Sequence, residues 1–91
     1  MTLKLRDGVS AADTEYGMAL LDEDSGQYWN LNPTAALALR MLLGGGTTAQ
    51  AVQELTEQYA VDAETASQDI EDLVGELHAA GLVKGQTMTT L

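Results

Sequence analysis

The side chains that most often do chemistry in proteins are scarce in this chain. His78 is the only histidine among the 91 residues, and there is no cysteine. Such a chain lacks the usual ligand sets of a zinc site and the usual pairing of a nucleophile with a base. We therefore expect His78 to be a partly exposed helical residue, and we expect no catalytic residue, no metal site and no cofactor.

Two short motifs resemble functional sites but fit them poorly. Gly44-Gly45-Gly46 ends a predicted helix instead of preceding one with a Lys or Ser, so it indicates a chain reversal and not a phosphate-binding loop. Asp24-Ser25 resembles the acidic-Ser attachment site of acyl or peptidyl carrier proteins. In those carriers the Ser begins a helix and an apolar residue follows it. Here a Gly and then a strand follow, which favours a plain β-turn.

The segment Gln27-Tyr28-Trp29-Asn30-Leu31 offers recognition through its main chain instead. An edge strand exposes unpaired N–H and C=O groups, and proteins normally block such an edge with Lys, Pro or a bulge. No Lys or Pro occurs in this segment, so we expect it to accept an extended peptide as an additional strand. The alternative is that Tyr28 and Trp29 are ordinary strand aromatics, one packed inward and one covering the sheet. The sequence leaves the orientation of Trp29 open.

This segment belongs to a predicted hairpin. Residues 18–21 form an apolar run, and the Asp, Ser and Gly at 23–26 are typical of a tight turn into the strand at 27–31. Residues 9–16 are a weaker candidate for a first strand. We therefore predict an α+β fold in which an N-terminal antiparallel sheet of three strands, or at least two, precedes the helices.

Three helices are predicted after the hairpin. Each follows a polar residue that can cap it: Asn32 before Pro33, then Thr47 or Thr48, then Asp62. The predicted helices cover about 33–43, 49–59 and 63–80, and a short extended tail follows at 82–83. The side chains expected to face the core are Ala36, Leu39, Leu42, Leu43, Val52, Leu55, Tyr59, Ala66, Ile70, Leu73 and Leu77.

The chain is strongly acidic, with 14 Asp and Glu against 4 Lys and Arg and a net charge of -10. Residues 41–83 carry acidic side chains and neither Lys nor Arg. Nucleic-acid binding relies on cations that displace counterions from phosphates, so we expect no nucleic-acid partner. The acids can simply form a solvated face, and their field also favours a basic partner such as a Lys-rich peptide.

Length and hydropathy favour one small soluble domain. We expect a single domain over 1–91, with an ordered core at about 9–84 and a frayed end at 85–91. The longest apolar run, at 35–43, contains Arg40 and is too short to span a bilayer. The N-terminus lacks the apolar stretch of a secretory signal. We therefore expect a cytoplasmic protein with no membrane partner.

Three helices after a hairpin resemble a winged helix-turn-helix. A recognition helix that reads DNA presents cations and amides to the bases. The third helix here carries Asp69, Glu71, Asp72 and Glu76 and no Lys or Arg. The sequence therefore predicts this geometry without DNA readout.

Residues 22–35, reading DEDSGQYWNLNPTA, resemble the turn–strand–helix segment of PqqD-like peptide-recognition domains, written tG-x-Y-x-LN-x-T-A. Further matches to the family pattern fall at 46–48, 52–55, 59–61 and 69–82. The resemblance covers about residues 9–84. Within the family, the chain looks most like the stand-alone leader-recognition proteins of lasso-peptide biosynthesis.

That resemblance implies a non-catalytic, winged helix-turn-helix-like protein that binds the leader segment of a ribosomally made precursor peptide. In the family, the leader adds as an extra strand beside the third strand, here 27–31, in a groove whose other wall is the third helix. Leaders of lasso precursors carry a Tyr-x-x-Pro anchor with basic residues nearby. The precursor then passes to a leader peptidase and a cyclase.

The acidic third helix suits a basic leader. Asp69, Asp72 and Glu76 lie on one flank of its apolar stripe, and we expect this flank to face the groove instead of the flank that includes His78. The predicted peptide-binding residues are Gln27, Tyr28, Trp29, Asn30, Leu31, Asp69, Asp72, Leu73 and Glu76. Two alternatives stay open: a pyrroloquinoline-quinone-type peptide chaperone for a radical SAM enzyme, and a structural module that associates with itself through the open strand.

Overall fold

The computed structural model describes residues 3–85 of the chain. Its elements are β1 (Lys4–Leu5), β2 (Val9–Thr14), β3 (Gly17–Asp22), β4 (Tyr28–Leu31), α1 (Pro33–Leu43), α2 (Thr48–Tyr59), α3 (Ala63–Ala79) and β5 (Val83–Lys84). A three-stranded antiparallel sheet followed by three helices confirms the predicted α+β fold class. Of the end predicted to fray, 86–91 lie outside the described residues.

Strands β2, β3 and β4 form the sheet in that order, so β4 is an edge strand. Leu20 lies opposite Trp29, and Met18 lies opposite Leu31. Directly opposed side chains share one face of a sheet. Since Leu20 and Met18 are buried, Trp29 and Leu31 belong to the core face, whereas Tyr28 is 65% exposed on the outer face. The register thus decides the orientation of Trp29.

The three helices begin at side-chain caps. Asn32 Oδ1 accepts a hydrogen bond from the Ala35 N–H at 2.9 Å. Thr47, and not Thr48, caps α2: its hydroxyl accepts from the Gln50 N–H at 3.1 Å, and the Gln50 side chain accepts from the Thr47 N–H at 2.8 Å. The Asp62 carboxylate accepts at 2.7 Å from the backbone N–H three residues on. These bonds satisfy amides that an α-helix leaves unpaired.

One apolar core joins the sheet to the helices. Among the side chains predicted to face it, most are buried: Ala36, Leu39, Leu42, Leu55, Ala66, Ile70, Leu73 and Leu77. Leu43 and Val52 are half-buried. The prediction for Tyr59 was wrong, because this residue is 40% exposed at the last position of α2. Ala51 is buried in its place on that helix.

A second, two-stranded sheet joins the two ends of the described chain, and the sequence did not reveal it. β1 pairs antiparallel with β5, with Leu5 opposite Val83. Leu3 is 1% exposed and Leu82 is 0% exposed, so both ends contribute to the core. Residues 82–83, predicted as a short extended tail, therefore belong to the core, and Val83 is extended and paired with β1.

Arg6 fastens this small sheet to the β3–β4 turn. Its Nε donates to the Gly81 carbonyl at 2.6 Å, and its guanidinium lies 3.0 Å from the Asp22 carboxylate and 3.3 Å from that of Asp24. Partial burial acts to raise the pKa of Asp22, but the hydrogen bond from Arg6, with smaller contributions from the turn, lowers that pKa below its ordinary value. The arrangement holds the hairpin turn beside the end of α3.

The Asp62 cap predicts a specific acid sensitivity. Hydrogen bonds, first from the Thr65 N–H and then from its hydroxyl, lower the pKa of Asp62 below its ordinary value of 3.8. Because the folded-state pKa is the lower one, this stabilisation is complete above the unfolded-state pKa and is lost as the pH falls through the folded-state pKa. Thermal melts by circular dichroism from about pH 7 to about pH 3 should show Asp62→Ala approaching the wild type in acid.

Asp62→Asn is the matched control, because Asn caps a helix as well as Asp does and carries no titratable group. This variant should lose less stability than the wild type on acidification. Equal acid profiles for the wild type and Asp62→Asn would show that the carboxylate at the cap contributes nothing to the acid response.

Candidate functional site

A cavity of about 380 Å³ opens between the end of β4, the start of α1 and α3. We call it the groove. Its apolar lining comes from Leu31, Ala35, Ala38, Leu55, Val61, Ile70 and Leu73. Asn30, Asn32 and Thr34 contribute polar atoms on the β4–α1 side. The groove therefore combines an apolar lining with polar groups at its mouth, which is the usual composition of a ligand site.

The α3 side of the groove is acidic. Asp69, Asp72 and Glu76 line it and are exposed. One oxygen of Asp72 accepts a hydrogen bond from the Gln68 side-chain amide at 3.0 Å. None of the salt bridges among residues 3–85 involves α3. The carboxylates are therefore free to attract a cation from outside the molecule.

The structure brings many of the predicted binding residues to one place. Those that line the groove are Asn30, Leu31, Asp69, Asp72, Leu73 and Glu76. The acidic flank of α3 lines it, whereas His78 and its flank do not. The other three predicted residues lie outside the groove. Tyr28 and Trp29 form the first half of β4, and Gln27 precedes that strand. A role of these residues in binding stays a prediction.

Sequence reasoning missed the part of the groove that α1 provides. Ala35 and Ala38 line it, and their short side chains leave the space between α1 and α3 unfilled. Alanine carries little signal in an apolar pattern, since it occurs on buried and exposed helix faces alike. The only sequence feature that could have indicated this part of the groove is the pair of alanines three positions apart, beside a leucine-rich stripe.

The hydrogen-bond pattern of the ladder determines where the main chain of β4 points. The Asp22 N–H donates to the Gln27 carbonyl at 2.8 Å, so these two residues form a hydrogen-bonded pair. Such pairs alternate with non-bonded pairs along an antiparallel ladder. In the observed register the next bonded pair is therefore Leu20 with Trp29. The main-chain groups of Trp29, and by the same alternation those of Leu31, point toward β3.

The main-chain groups of Tyr28 and Asn30 consequently point away from β3, toward the open edge. The hydrogen bonds between β3 and β2 agree with this assignment. The Glu23 N–H donates to the Gly8 carbonyl at 2.8 Å, so every second residue of β3, counted back from Glu23, points its main-chain groups toward β2. The residues between them therefore point theirs toward β4. No further strand pairs with β4 in the described part of the chain. Two N–H and two C=O groups are thus available to a partner beside the groove.

Gly17 holds the end of β4 close to the start of β3. Its φ is +144°, and a Cβ at this position would lie 2.0 Å from the Leu31 carbonyl oxygen. Only glycine allows this approach of two backbones. The contact fixes the corner at which β4 ends and α1 begins, and that corner forms one end of the groove.

The described residues lack two further kinds of feature. No helix within 3–85 has the length and apolar character needed to cross a membrane. No group of three or more His, Cys, Asp or Glu side chains in the same range is arranged to hold a metal ion.

Comparison with known proteins relates this geometry to solved structures. The structure of a lasso peptide synthetase B1 complexed with the leader peptide is 44% identical, covers 93% of this chain and 100% of that chain, and has a TM-score of 0.86. TbiB1 in complex with the TbiA(beta) leader peptide is 25% identical, with 93% and 99% coverage and a TM-score of 0.80.

A third structure shares the fold at lower identity. It is the PqqD truncation of Methylobacterium extorquens PqqCD, described as a functional and stand-alone recognition element for ribosomally synthesised and post-translationally modified peptides. It is 22% identical, covers 91% of this chain and 88% of that chain, and has a TM-score of 0.72. No curated protein sequence matches the chain.

The family resemblance predicted from the sequence is confirmed. Residues 17–83 match the family model of coenzyme PQQ synthesis protein D (PqqD), which is most of the chain. Together with the structure that is 44% identical and covers 93% of this chain, this match shows that the chain belongs to the PqqD family.

Proposed function

We propose that this protein binds the leader segment of a ribosomally made precursor peptide by adding it as a strand to β4. It acts without catalysis and presents the precursor to the leader peptidase and the cyclase of lasso-peptide biosynthesis in the cytoplasm. The observation that carries the proposal is the open edge of β4, which runs into the groove. Two similar structures, 44% and 25% identical, are complexes with leader peptides.

The main chain supplies affinity that does not depend on the leader sequence. Tyr28 and Asn30 offer four hydrogen-bonding groups, and a typical hydrogen bond contributes about 0.5–1.5 kcal/mol net. Ordering a disordered peptide costs roughly 2–5 kcal/mol. Strand pairing and ordering therefore nearly cancel. The side chains of the leader must supply the net affinity, and they also provide the specificity.

The groove accepts such side chains. Its volume of about 380 Å³ is within the range of small-ligand sites, and it takes the Tyr and Pro of a Tyr-x-x-Pro anchor. Each well-buried anchor contributes about 1.5–3 kcal/mol. Asp69, Asp72 and Glu76 along its rim attract the basic residues of the leader and raise its rate of association.

The two alternatives use the same surfaces. A peptide chaperone for a radical SAM enzyme, as in pyrroloquinoline-quinone synthesis, shares the fold. The lasso peptide synthetase B1 is closer in sequence, at 44% identity against 22% for the PqqD truncation. A self-associating module would pair β4 with a second copy. Its molecular mass would then rise with protein concentration, whereas a leader-binding protein keeps one mass until the peptide is added.

A proline at position 28 tests strand addition. The Tyr28 N–H faces the open edge, and the first residue of an edge strand tolerates proline, so Tyr28→Pro removes one donor and leaves the β3–β4 ladder intact. We expect affinity for the leader to fall roughly threefold to tenfold. The measurement is fluorescence anisotropy with a labelled synthetic leader peptide that carries a Tyr-x-x-Pro anchor and basic residues.

Tyr28→Ala is the matched control. It removes the same ring but keeps the N–H, so it should bind the leader more tightly than Tyr28→Pro does. Equal dissociation constants for Tyr28→Pro and Tyr28→Ala would contradict strand addition at this edge.

A charge reversal on α3 tests the acidic rim. Glu76→Lys places a cation in the groove, whereas Glu71→Lys makes the same change of net charge on an exposed residue of α3 outside the groove. Affinity for the basic leader should fall at least about threefold more for Glu76→Lys, a difference within the range of surface charge pairs. Higher salt should reduce that difference. If the two variants bind equally, the rim makes no local contact and only the overall field acts.

A further inference from the structure

Resting on the proposed function, we infer that Ala35 and Ala38 set the size of the leader side chain that the groove admits. The groove is selective for a large apolar or aromatic anchor because, beyond Thr34 at the mouth, α1 presents only methyl groups to it. This assigns a specificity-determining role to two residues that contribute no charge and no hydrogen bond through their side chains.

The two alanines lie on one face of α1. Residues three apart on a helix are neighbours on its surface, and both line the groove. Leu39 and Leu42 fill the core side of the same helix and are fully buried. Ala38 is also buried, at 1% exposed, and forms the inner wall of the groove, whereas Ala35 is half-buried and borders its open part. The empty volume is therefore local to the alanine face, and a longer side chain there would occupy the space that a ligand would fill.

A leader strand that pairs with the open edge of β4 would direct one of its side chains into this space. An added strand places alternate side chains on the core face, the face of Trp29 and Leu31. Leu31 lines the groove and Trp29 does not. Among the leader residues that pair with β4, the one beside Leu31 is consequently the one that enters, between Leu31 and Leu73 and against the alanine face.

The lining defines the chemistry of this anchor. Apolar atoms of Leu31, Leu73 and Ile70 surround the entering group, so burying it is favourable in proportion to its apolar area. Asp69 and Asp72 at the rim repel a carboxylate. Asn32 and Thr34 at the mouth tolerate a polar tip. An aromatic ring with or without a hydroxyl group satisfies all three conditions.

A double-mutant cycle tests this inference. Ala35→Leu fills the groove from the first turn of α1, and Leu is a good helix former. On the peptide side, the Tyr of the leader anchor is changed to Ala. The labelled leader should bind Ala35→Leu about tenfold or more weakly than the wild type, because the buried anchor is excluded. The leader without the ring should bind both proteins with nearly the same affinity.

Ala49→Leu is the matched control, since Ala49 is exposed in the first turn of α2 and lies outside the groove. It should bind both peptides as the wild type does. Ala35→Val repeats the test with a smaller added volume, and thermal melts establish that each variant is folded. A graded loss from Ala to Val to Leu supports the inference.

The failures of the two proposals differ. If removing the ring weakens binding by the same factor in the wild type and in Ala35→Leu, the anchor does not meet the alanine face and the inference is overturned. If the unmodified leader does not bind the wild type, or if Tyr28→Pro has no effect on binding, strand addition itself fails.

Discussion

The proposed binding site depends on the unpaired main-chain hydrogen-bonding groups of β4. Every buried peptide group must find a partner, and an edge strand meets this requirement on one side only. Trp29 and Leu31 turn their main-chain groups to β3, while those of Tyr28 and Asn30 face outward. No strand within residues 3–85 pairs with that outward edge. α1 begins at Pro33, directly after the strand, and α3 lies across the groove instead of against the edge.

In the proposed site, the groups that hold the leader and the groups that select it lie in different places. The outward peptide groups of β4 can hold any extended chain, whatever its sequence. Discrimination lies next to them, in an apolar cavity bounded by alanines and leucines and in carboxylates along α3. The protein can therefore hold a flexible segment in register while a few side chains decide which segment is held. A site of this kind needs no buried charge, and none of the described residues with a polar or charged side chain is buried.

Local signals made much of the fold predictable. The turn before β4, the caps at Asn32, Thr47 and Asp62, and the apolar stripe of α3 all depend on neighbours in sequence. The β1–β5 pairing did not follow from the sequence, since two-residue strands almost eighty positions apart leave no periodic pattern. The orientation of Trp29 depends on a register between strands.

The site was predictable to a similar extent. The acidic flank and the unguarded strand could be identified because both are features of composition. The cavity could not, because it results from missing side-chain volume at Ala35 and Ala38, and a sequence pattern shows which atoms are present but not which spaces stay empty.

The edge of β4 carries no lysine or proline, and this affects how the protein avoids self-association. Proteins that leave such an edge open usually protect it against their own copies with a lysine or a proline at the edge itself. Here the protection is long-range: a net charge of -10 makes two copies repel before their edges meet, while a basic chain is attracted to the same surface. By this argument the carboxylates oppose pairing of β4 with a second copy and favour a basic peptide, and this selectivity depends on the solution. It weakens as salt screens the charges or as acid neutralises them.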